Sequence, residues 1–391
     1  MDDYQGLWFN TENDSSETSN TQCDCEQNCA RLLKPFGEYA EEILGRFKKK
    51  KIVNMSNEVR LMKQKHADYL LKNIRNLHRN FASLDASRPW IIYWIVHACY
   101  LLSSEHEIAP VYSDIVSTLS KFHNSTGGFG GGPSQISHGA PTFGSVMSLC
   151  IIGTPEAYRV IDRTAMYGFF LSQKHASGGF SIHKDGEVDT RGTYTILAVA
   201  RILNLLTPEL TAGVADYLCS CQTYEGGFGG ELDNEAHGGY NFCALAALHI
   251  IGEARKCNLR ALEYWLVNRQ MKVEGGFQGR TNKLVDSCYS YWQGAAVALL
   301  TIINNGDDDI ADCVARRAAA AASENSLDDE APVVVGPGAT VAKNANGDFT
   351  MNQKALQRYV LHCAQDNDDG GLRDKPGKPR DFYHRFVALR V

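Results

Sequence analysis

The sequence predicts an all-α protein, an α/α toroid in which helical hairpins of about 50 residues close into a barrel. Two observations carry that expectation. Gly-Gly-aromatic triplets begin at Gly127, Gly178, Gly226 and Gly275, at intervals of 51, 48 and 49 residues, and a Gly-Gly-Leu begins at Gly370, 95 residues further on. Between them, AYRVIDRTAMYGFFLSQ and RALEYWLVNRQM space their apolar residues at helical intervals. A glycine repeat of this period also suits a kelch propeller. Four strands per repeat would need alternating patterns and more turns, which these segments lack. Helical hairpins bury their inner faces only against neighbours, and a closed ring of them does so while leaving a central funnel.

Residues 1–55 are polar, carry NDSSETSNTQ and the basic run Lys48 to Lys51, and show no sustained apolar period, so they read as a mostly disordered polar and basic tail. Cys23, Cys25 and Cys29 have near-ligand spacing, but no Cys or His pair follows to complete a zinc site. The toroid is expected over 56–391. Val59, Met62, Tyr69, Leu70, Ile74, Leu77 and Phe81 keep a helical period interrupted at His66. Ser87-Arg88-Pro89 then supplies an N-cap and an early proline for WIIYWIVHACYLL, a helix buried on most sides. Thr154-Pro155 and Thr207-Pro208 read as further helix starts, and Asn258 as a third cap in the same phase. Gln173, Gln222, Gln270 and Gln365 each precede a glycine pair by four or five residues. The long interval before Gly370 reads as one period plus an insertion at 304–348, where DDD, an alanine run and PVVVGPGATVAKNANG are low-complexity material that must leave the ring as an outer loop.

Composition narrows the function. The 391 residues are 44% hydrophobic, enough for a sizeable core, and a net charge of −6 offers no broad positive field for a nucleic-acid backbone. The longest apolar run, 90–102, contains His97 and falls short of the roughly 20 residues a membrane helix needs, so no membrane span is expected. The opening MDDYQG has no apolar leader segment, which points to a cytoplasmic protein. Twelve cysteines are scattered through apolar segments, as at Cys99, Cys150 and Cys243, in the manner of small buried hydrophobes rather than a disulfide framework.

The helix starts that follow the glycine loops collect Arg191 and Tyr194; His237 and Tyr240; Arg280, Lys283, Asp286, Cys288, Tyr289 and Trp292; and Lys375, Lys378, Tyr383 and His384. In a toroid these starts converge at one end of the funnel. Helix N-termini with added Arg, Lys and His form an anion site suited to phosphate, and aromatic side chains lower down line an apolar tube. An amphiphile with a diphosphate head and a hydrocarbon tail fits both. Asp286-Ser287-Cys288 with the distant His384 is a possible zinc site whose fourth position stays open, although a capping Asp followed by a buried Cys reads the same way in isolation.

EAHGGYNFCALAAL (235–248), EGGFQGRTNKLVDSCYSYWQ (274–293), GGLRDKPGKPRDFYH (370–384) and ASRPWIIYWI (86–95) closely resemble the protein farnesyltransferase β-subunit family, in order and from about Met62 to His384. The resemblance implies one Zn2+ per β subunit on Asp286, Cys288 and His384. It implies an isoprenoid diphosphate held by His237, Arg280, Lys283 and Tyr289, with Lys174 near the α-phosphate. Arg191, Tyr194, Tyr240, Cys243 and Trp292 would line the tail site, Trp90, Trp94 and Tyr383 would face the peptide, and Asp374 would be linked to Mg2+. It further implies a heterodimer with a helical α subunit, farnesyl diphosphate and Cys-a-a-X-terminated proteins as substrates, and attack of a zinc-acidified substrate thiol on C1 while the cationic mouth stabilises the departing diphosphate. Trp90 is expected to floor the funnel and exclude a fourth isoprene unit, and Asp374 points to farnesyl as well, since type I geranylgeranyl enzymes tend to carry lysine there.

Ser287 stands where this family commonly has glycine, and Val387 where it usually has an aromatic. The geranylgeranyltransferase type I β subunit is the nearest alternative. A class II terpene cyclase, also a toroid, would use a D-x-D-D acid motif, which Asp366-Asn367-Asp368-Asp369 satisfies in an ordinary acidic turn, but it would have no use for Asp286, Cys288 and His384. A non-catalytic scaffold is opposed by the intact His384.

Overall fold

The structure, a computed structural model, describes residues 16–33, 60–75, 77, 79–304, 342–343 and 349–389. Its principal helices are α1 (Glu17–Leu33), α2 (Lys63–Arg75), α3 (Arg88–Leu101), α4 (Tyr112–Ser120), α5 (Gly139–Ile152), α6 (Arg163–Gln173), α7 (Thr190–Ile202), α8 (Val214–Ser220), α9 (Gly238–Ile250), α10 (Leu259–Val267), α11 (Tyr289–Asn304), α12 (Gln353–Arg358, continued by the π-helical Tyr359–Ala364) and α13 (Phe382–Ala388). From α2 onward they pair into six hairpins. The second helix of each hairpin packs on the next, α3 on α5, α5 on α7, α7 on α9, α9 on α11, α11 on α13, and α13 back on α3. These six inner helices close the expected ring. Ile95, Val146, Leu149, Leu197, Leu245 and Leu248, all fully buried, belong to the core they share.

The glycine repeat has a steric cause. At Gly178 the backbone has φ of 99° and a Cβ would stand 2.1 Å from the carbonyl oxygen of Gly213, at the start of the next outer helix; at Gly370, with φ of 69°, it would stand 2.3 Å from the carbonyl of Lys65 in α2. The loop thus seats directly on the neighbouring helix, and only glycine allows both the dihedral and the approach. The Gly370 contact joins the last repeat to the first. Gly370→Ala is therefore expected to destabilise the protein by about 2 kcal/mol or more, read as a lowered Tm; an unchanged melting curve would refute this account of the repeat.

An amide clip accompanies the seats at Gly226, Gly275 and Gly370. Gln222 donates to the Gly226 and Asn258 carbonyls and accepts from the Asn258 N–H; Gln270 does the same with Gly275 and Asn352. Gln365 repeats the pattern across the closure, donating to the Arg60 carbonyl at 3.1 Å and accepting from the Met62 N–H at 3.0 Å. His66, which breaks the apolar period in the sequence, is a fully buried part of this junction. Its Nδ1 accepts from the Gly371 N–H and its Nε2 donates to Gln365 Oε1, both at 3.0 Å. Burial, chiefly, pulls its pKa down to about 4, so the ring is neutral at pH 7. In the third repeat the clip position belongs to Lys174 rather than Gln173: Lys174 pairs with Phe180 as Gln222 does with Phe228 and Gln270 with Phe277.

Several expectations need correction. Within 1–55, Glu17–Leu33 is helical and lays Cys25, Cys29 and Leu33 against Met271, Val285, Tyr359 and Cys363. Half of its four buried residues are cysteines, in an otherwise polar segment, which hides the period. The run Lys48 to Lys51 lies outside the described residues. The first predicted helix stops at Arg75 and a tighter 3-10 stretch, Arg79–Ser87, leads to α3, where Ser87 makes no side-chain cap bond. The caps at Thr154, Thr207 and Asn258 are as expected, each side chain accepting a backbone N–H at a helix start; the two threonines open the short helices Pro155–Arg159 and Pro208–Thr211, and Asp162 and Asn352 cap α6 and α12 as Asn258 caps α10. Of the insertion, Asn304 ends α11 and Ala342–Lys343 pairs antiparallel with Phe349–Thr350; 305–341 and 344–348, like the Val387 side chain, lie outside the described residues.

Candidate active site

At the start of an inner helix one N–H is handed to the loop of the following repeat: Gly139, Thr190 and Gly238, the first residues of α5, α7 and α9, donate to Ile182, Gly230 and Gly279, and Ser287, in the turn just before α11, donates to Asp374, at 2.6, 3.0, 2.9 and 2.9 Å. This chain of bonds gathers the positive ends of the inner helices at one rim. His237 caps α9 there. Its Nδ1 accepts from the Gly239 N–H at 3.1 Å, so its proton resides on Nε2 and is donated to the Tyr289 hydroxyl at 2.9 Å. Burial, then the neighbouring Arg280 cation, hold His237 down to about 4, and burial pushes Tyr289 up, so both are neutral near pH 7. Tyr289 keeps its own proton for an incoming anion.

The arginines at the rim are placed by carboxylates. Arg191 binds Asp189, the cap of α7, through Nε at 2.9 Å and Nη2 at 2.5 Å, and lies over the Tyr240 ring at 5.2 Å. Arg280 pairs with Glu235 at 2.8 Å. Lys283 and Lys378 are exposed. One turn or so below the rim the walls become aromatic. Trp90 meets Trp94 and Phe143, Phe143 meets Tyr194, Tyr194 meets Phe242, and Phe242 meets Trp292, with centroids 5.5–5.9 Å apart. Trp292 donates to the Tyr383 hydroxyl at 2.7 Å, and Tyr383 returns to Trp94 at 5.5 Å. The girdle is continuous, and Cys243 is buried in α9 beside it. Trp90 falls in the first turn of α3.

Asp286, Cys288 and His384 come together although the third lies about a hundred residues from the others. One ligand atom from each lies within 4.8 Å of the other two. Asp286 Oδ1 accepts from the Cys288 N–H at 2.8 Å and stands 3.2 Å from His384 Nε2. On its far side, His384 Nδ1 binds Asp381 at 2.6 Å, and Asp381 also accepts the His384 N–H. Asp381 is a residue that the sequence reading missed; its signal was the three-residue spacing at a helix start, which lets one carboxylate cap and orient one imidazole. Burial and then Asp286 push the Cys288 thiol well up. Burial opposes charge on His384, but its two carboxylate partners raise it to about 10, and the same bonds keep Asp286 below the usual carboxylate range. Thiol, carboxylate and imidazole crowded in a dry corner are a donor set that a divalent cation satisfies better than protons do. Asp374 lies beside them, ion-paired with Lys375; burial and then Asp286 raise its pKa, so added positive charge is stabilising there too.

Lys174 does not join this site. Its Nζ donates to the carbonyls of Gly178 and Leu210 at 2.8 and 2.9 Å, the clip that its sister repeats build with glutamine, and it lies over the Phe180 ring. The expected phosphate contact is therefore replaced by a structural one. Lys174→Gln is expected to leave turnover within about twofold of the parent, as a surface-like exchange into the sister residue should; a large loss in steady-state kinetics would restore the phosphate role.

A family model described as the prenyltransferase alpha-alpha toroid domain matches residues 61–391. The chain is 40% identical over 349 residues to the protein farnesyltransferase subunit beta of Arabidopsis thaliana, covering 84% of this chain and 72% of that one. This chain belongs to the protein farnesyltransferase β-subunit family. Other family members include those of Pisum sativum, 41% identical with 77% of this chain and 76% of the relative covered, and Saccharomyces cerevisiae, 37% identical with 85% and 68% covered. A Candida albicans protein geranylgeranyltransferase-I structure, complexed with GGPP, shares the fold at a TM-score of 0.63 and 18% identity, covering 84% of this chain and 90% of that one. The farnesyltransferase β subunits are the more similar in sequence: the type-1 geranylgeranyl transferase β subunit of Arabidopsis thaliana is 27% identical. Like its family, the chain is a prenyltransferase enzyme. Among the described residues no helix is long and apolar enough to cross a membrane.

Proposed function

We propose that this chain is the catalytic β subunit of a cytoplasmic heterodimer that transfers the farnesyl group of farnesyl diphosphate to the cysteine thiol of proteins ending in Cys-a-a-X. The observation that carries the reading is the meeting of three zones at one rim: the Asp286, Cys288 and His384 donors, the cationic helix starts, and the aromatic girdle beneath them. Zn2+ held by that triad supplies the lowered sulfur pKa that a substrate cysteine needs near neutral pH. Tyr289 offers its hydroxyl proton to the diphosphate, oriented by His237 from behind. Arg191, Arg280 and Lys283 take up the charge that grows on the leaving group as its bond to C1 breaks, and Asp374 would hold a Mg2+ that would supply further positive charge to the diphosphate. Tyr194, Tyr240, Cys243, Trp292 and Trp90 exclude water from the tail, and Trp94 and Tyr383 face the peptide.

Co-expression with an α subunit, followed by transfer assays to a Cys-a-a-X peptide with either lipid diphosphate and with or without Zn2+, tests the proposal. Zinc-dependent transfer with preference for farnesyl is expected. Zinc-independent turnover would remove the ligand assignment, and equal use of farnesyl and geranylgeranyl would remove the chain-length assignment.

A further inference from the structure

We infer that Ser287 is a positioning residue for the metal site, holding the two separately encoded halves of the triad in register through its side chain. The inference rests on the metal reading of Asp286, Cys288 and His384. It begins with a comparison inside the molecule. Ser287 occupies the place of Gly139, Thr190 and Gly238, the residue whose N–H ties an inner helix to the following loop. Two of these are glycines with no side chain to add, and the Thr190 hydroxyl, although buried, has no hydrogen-bond partner. Ser287 alone of the four adds a second bond. Its Oγ donates to the Arg373 carbonyl at 2.7 Å while its N–H donates to the Asp374 carbonyl at 2.9 Å, and the residue is fully buried.

The consequence follows from where those carbonyls lie. Leu372–Arg373 pairs antiparallel with Arg380–Asp381, and Asp381 is the residue that grips His384. Tyr359 donates to the same Asp374 carbonyl at 2.8 Å, fixing it from the outer side. A short rigid path therefore runs from the Asp286–Cys288 segment through Ser287 to one strand, across the strand pair to Asp381, and on to the imidazole. Two bonds to adjacent carbonyls, one from the backbone and one from the side chain, fix both distance and rotation, whereas in the sister repeats the corresponding residue supplies the N–H bond alone. The two-ligand segment and the one-ligand segment are joined here by a residue covalently adjacent to both Asp286 and Cys288.

Release of zinc from the loaded heterodimer to an excess of a chromogenic chelator tests this directly, with Ser287→Ala removing the hydroxyl and sparing the backbone bond. Gln222→Ala, which deletes a clip in a distant repeat, serves as the control for general loosening. Ser287→Ala is expected to lose zinc on the order of 10-fold faster than the parent, the scale on which groups that orient metal ligands act, with Gln222→Ala releasing at the parental rate. The Co2+-loaded proteins are expected to show an altered d–d absorption for Ser287→Ala alone. Parental release and an unchanged cobalt spectrum for Ser287→Ala would overturn the inference while leaving the metal reading intact, and equal acceleration by both variants would overturn it as well. A parent protein that retains no zinc would instead defeat the metal reading, and the inference with it.

Discussion

Cys288→Ala is expected to leave the purified heterodimer with little tightly held zinc and to lower farnesyl transfer by more than about 100-fold, beyond the range seen when only a supporting group around a metal is lost. The substitution removes one sulfur from a residue that is 4% exposed, so the ring should survive it at a cost of about 1 kcal/mol. Metal content by elemental analysis separates loss of the ligand from loss of the fold, with circular dichroism as the check on the latter. If the variant kept stoichiometric zinc, the thiol would be a buried hydrophobe and the carboxylate and imidazole would be an ordinary ion pair. Retained turnover without zinc would be equally damaging. The expectation is sharp because nothing else among the described residues offers a replacement: no other cluster of His, Cys, Asp or Glu there gathers three donor atoms within bonding reach of one ion.

The second large effect concerns chain length. Trp90 stands in the girdle between Trp94 and Phe143, half-buried and in the first turn of α3. Trp90→Thr removes most of an indole from the wall beside Trp94 and Phe143, and the space released should admit a longer tail. We expect the ratio of kcat/KM for geranylgeranyl over farnesyl diphosphate to rise roughly 10- to 200-fold, the discrimination that small volume differences in apolar pockets provide. Competition between the two lipids in one reaction measures it. An unchanged ratio would mean that the tail does not reach this part of the wall.

Much of this architecture was legible because steric facts wrote it into the sequence. The glycine pairs recur because Gly178 and Gly370 sit against backbone carbonyls, and no packing preference could relax that requirement. The insertion was recognisable by contrast with the repeat it interrupts. α1 was not legible, since Cys25 and Cys29 bury themselves in a segment too polar to show a period. Lys174 misled for a different reason: the family resemblance implied a lysine near the α-phosphate, whereas the loop register gives it the place of Gln222. The triad residues could be named from motifs, but their support could not. Asp381 and Ser287 act through hydrogen bonds to an imidazole and to carbonyls, and such partners are decided by how two distant stretches of chain lie against each other.

The junction of His66 with Gln365 spans 299 residues of sequence, which bears on how the protein is made. A ribosome adding about 5–20 residues per second needs roughly 15–60 s to travel that far, while helical hairpins fold in a small fraction of a second. The nascent arc therefore waits with one flank of its first hairpin bare, and Tyr93, Trp94 and His97 lack the Tyr383 and Phe386 rings that meet them on that flank until α13 is translated. That seam is the last to zip during biosynthesis, and the half-made arc is the species on which chaperones would act.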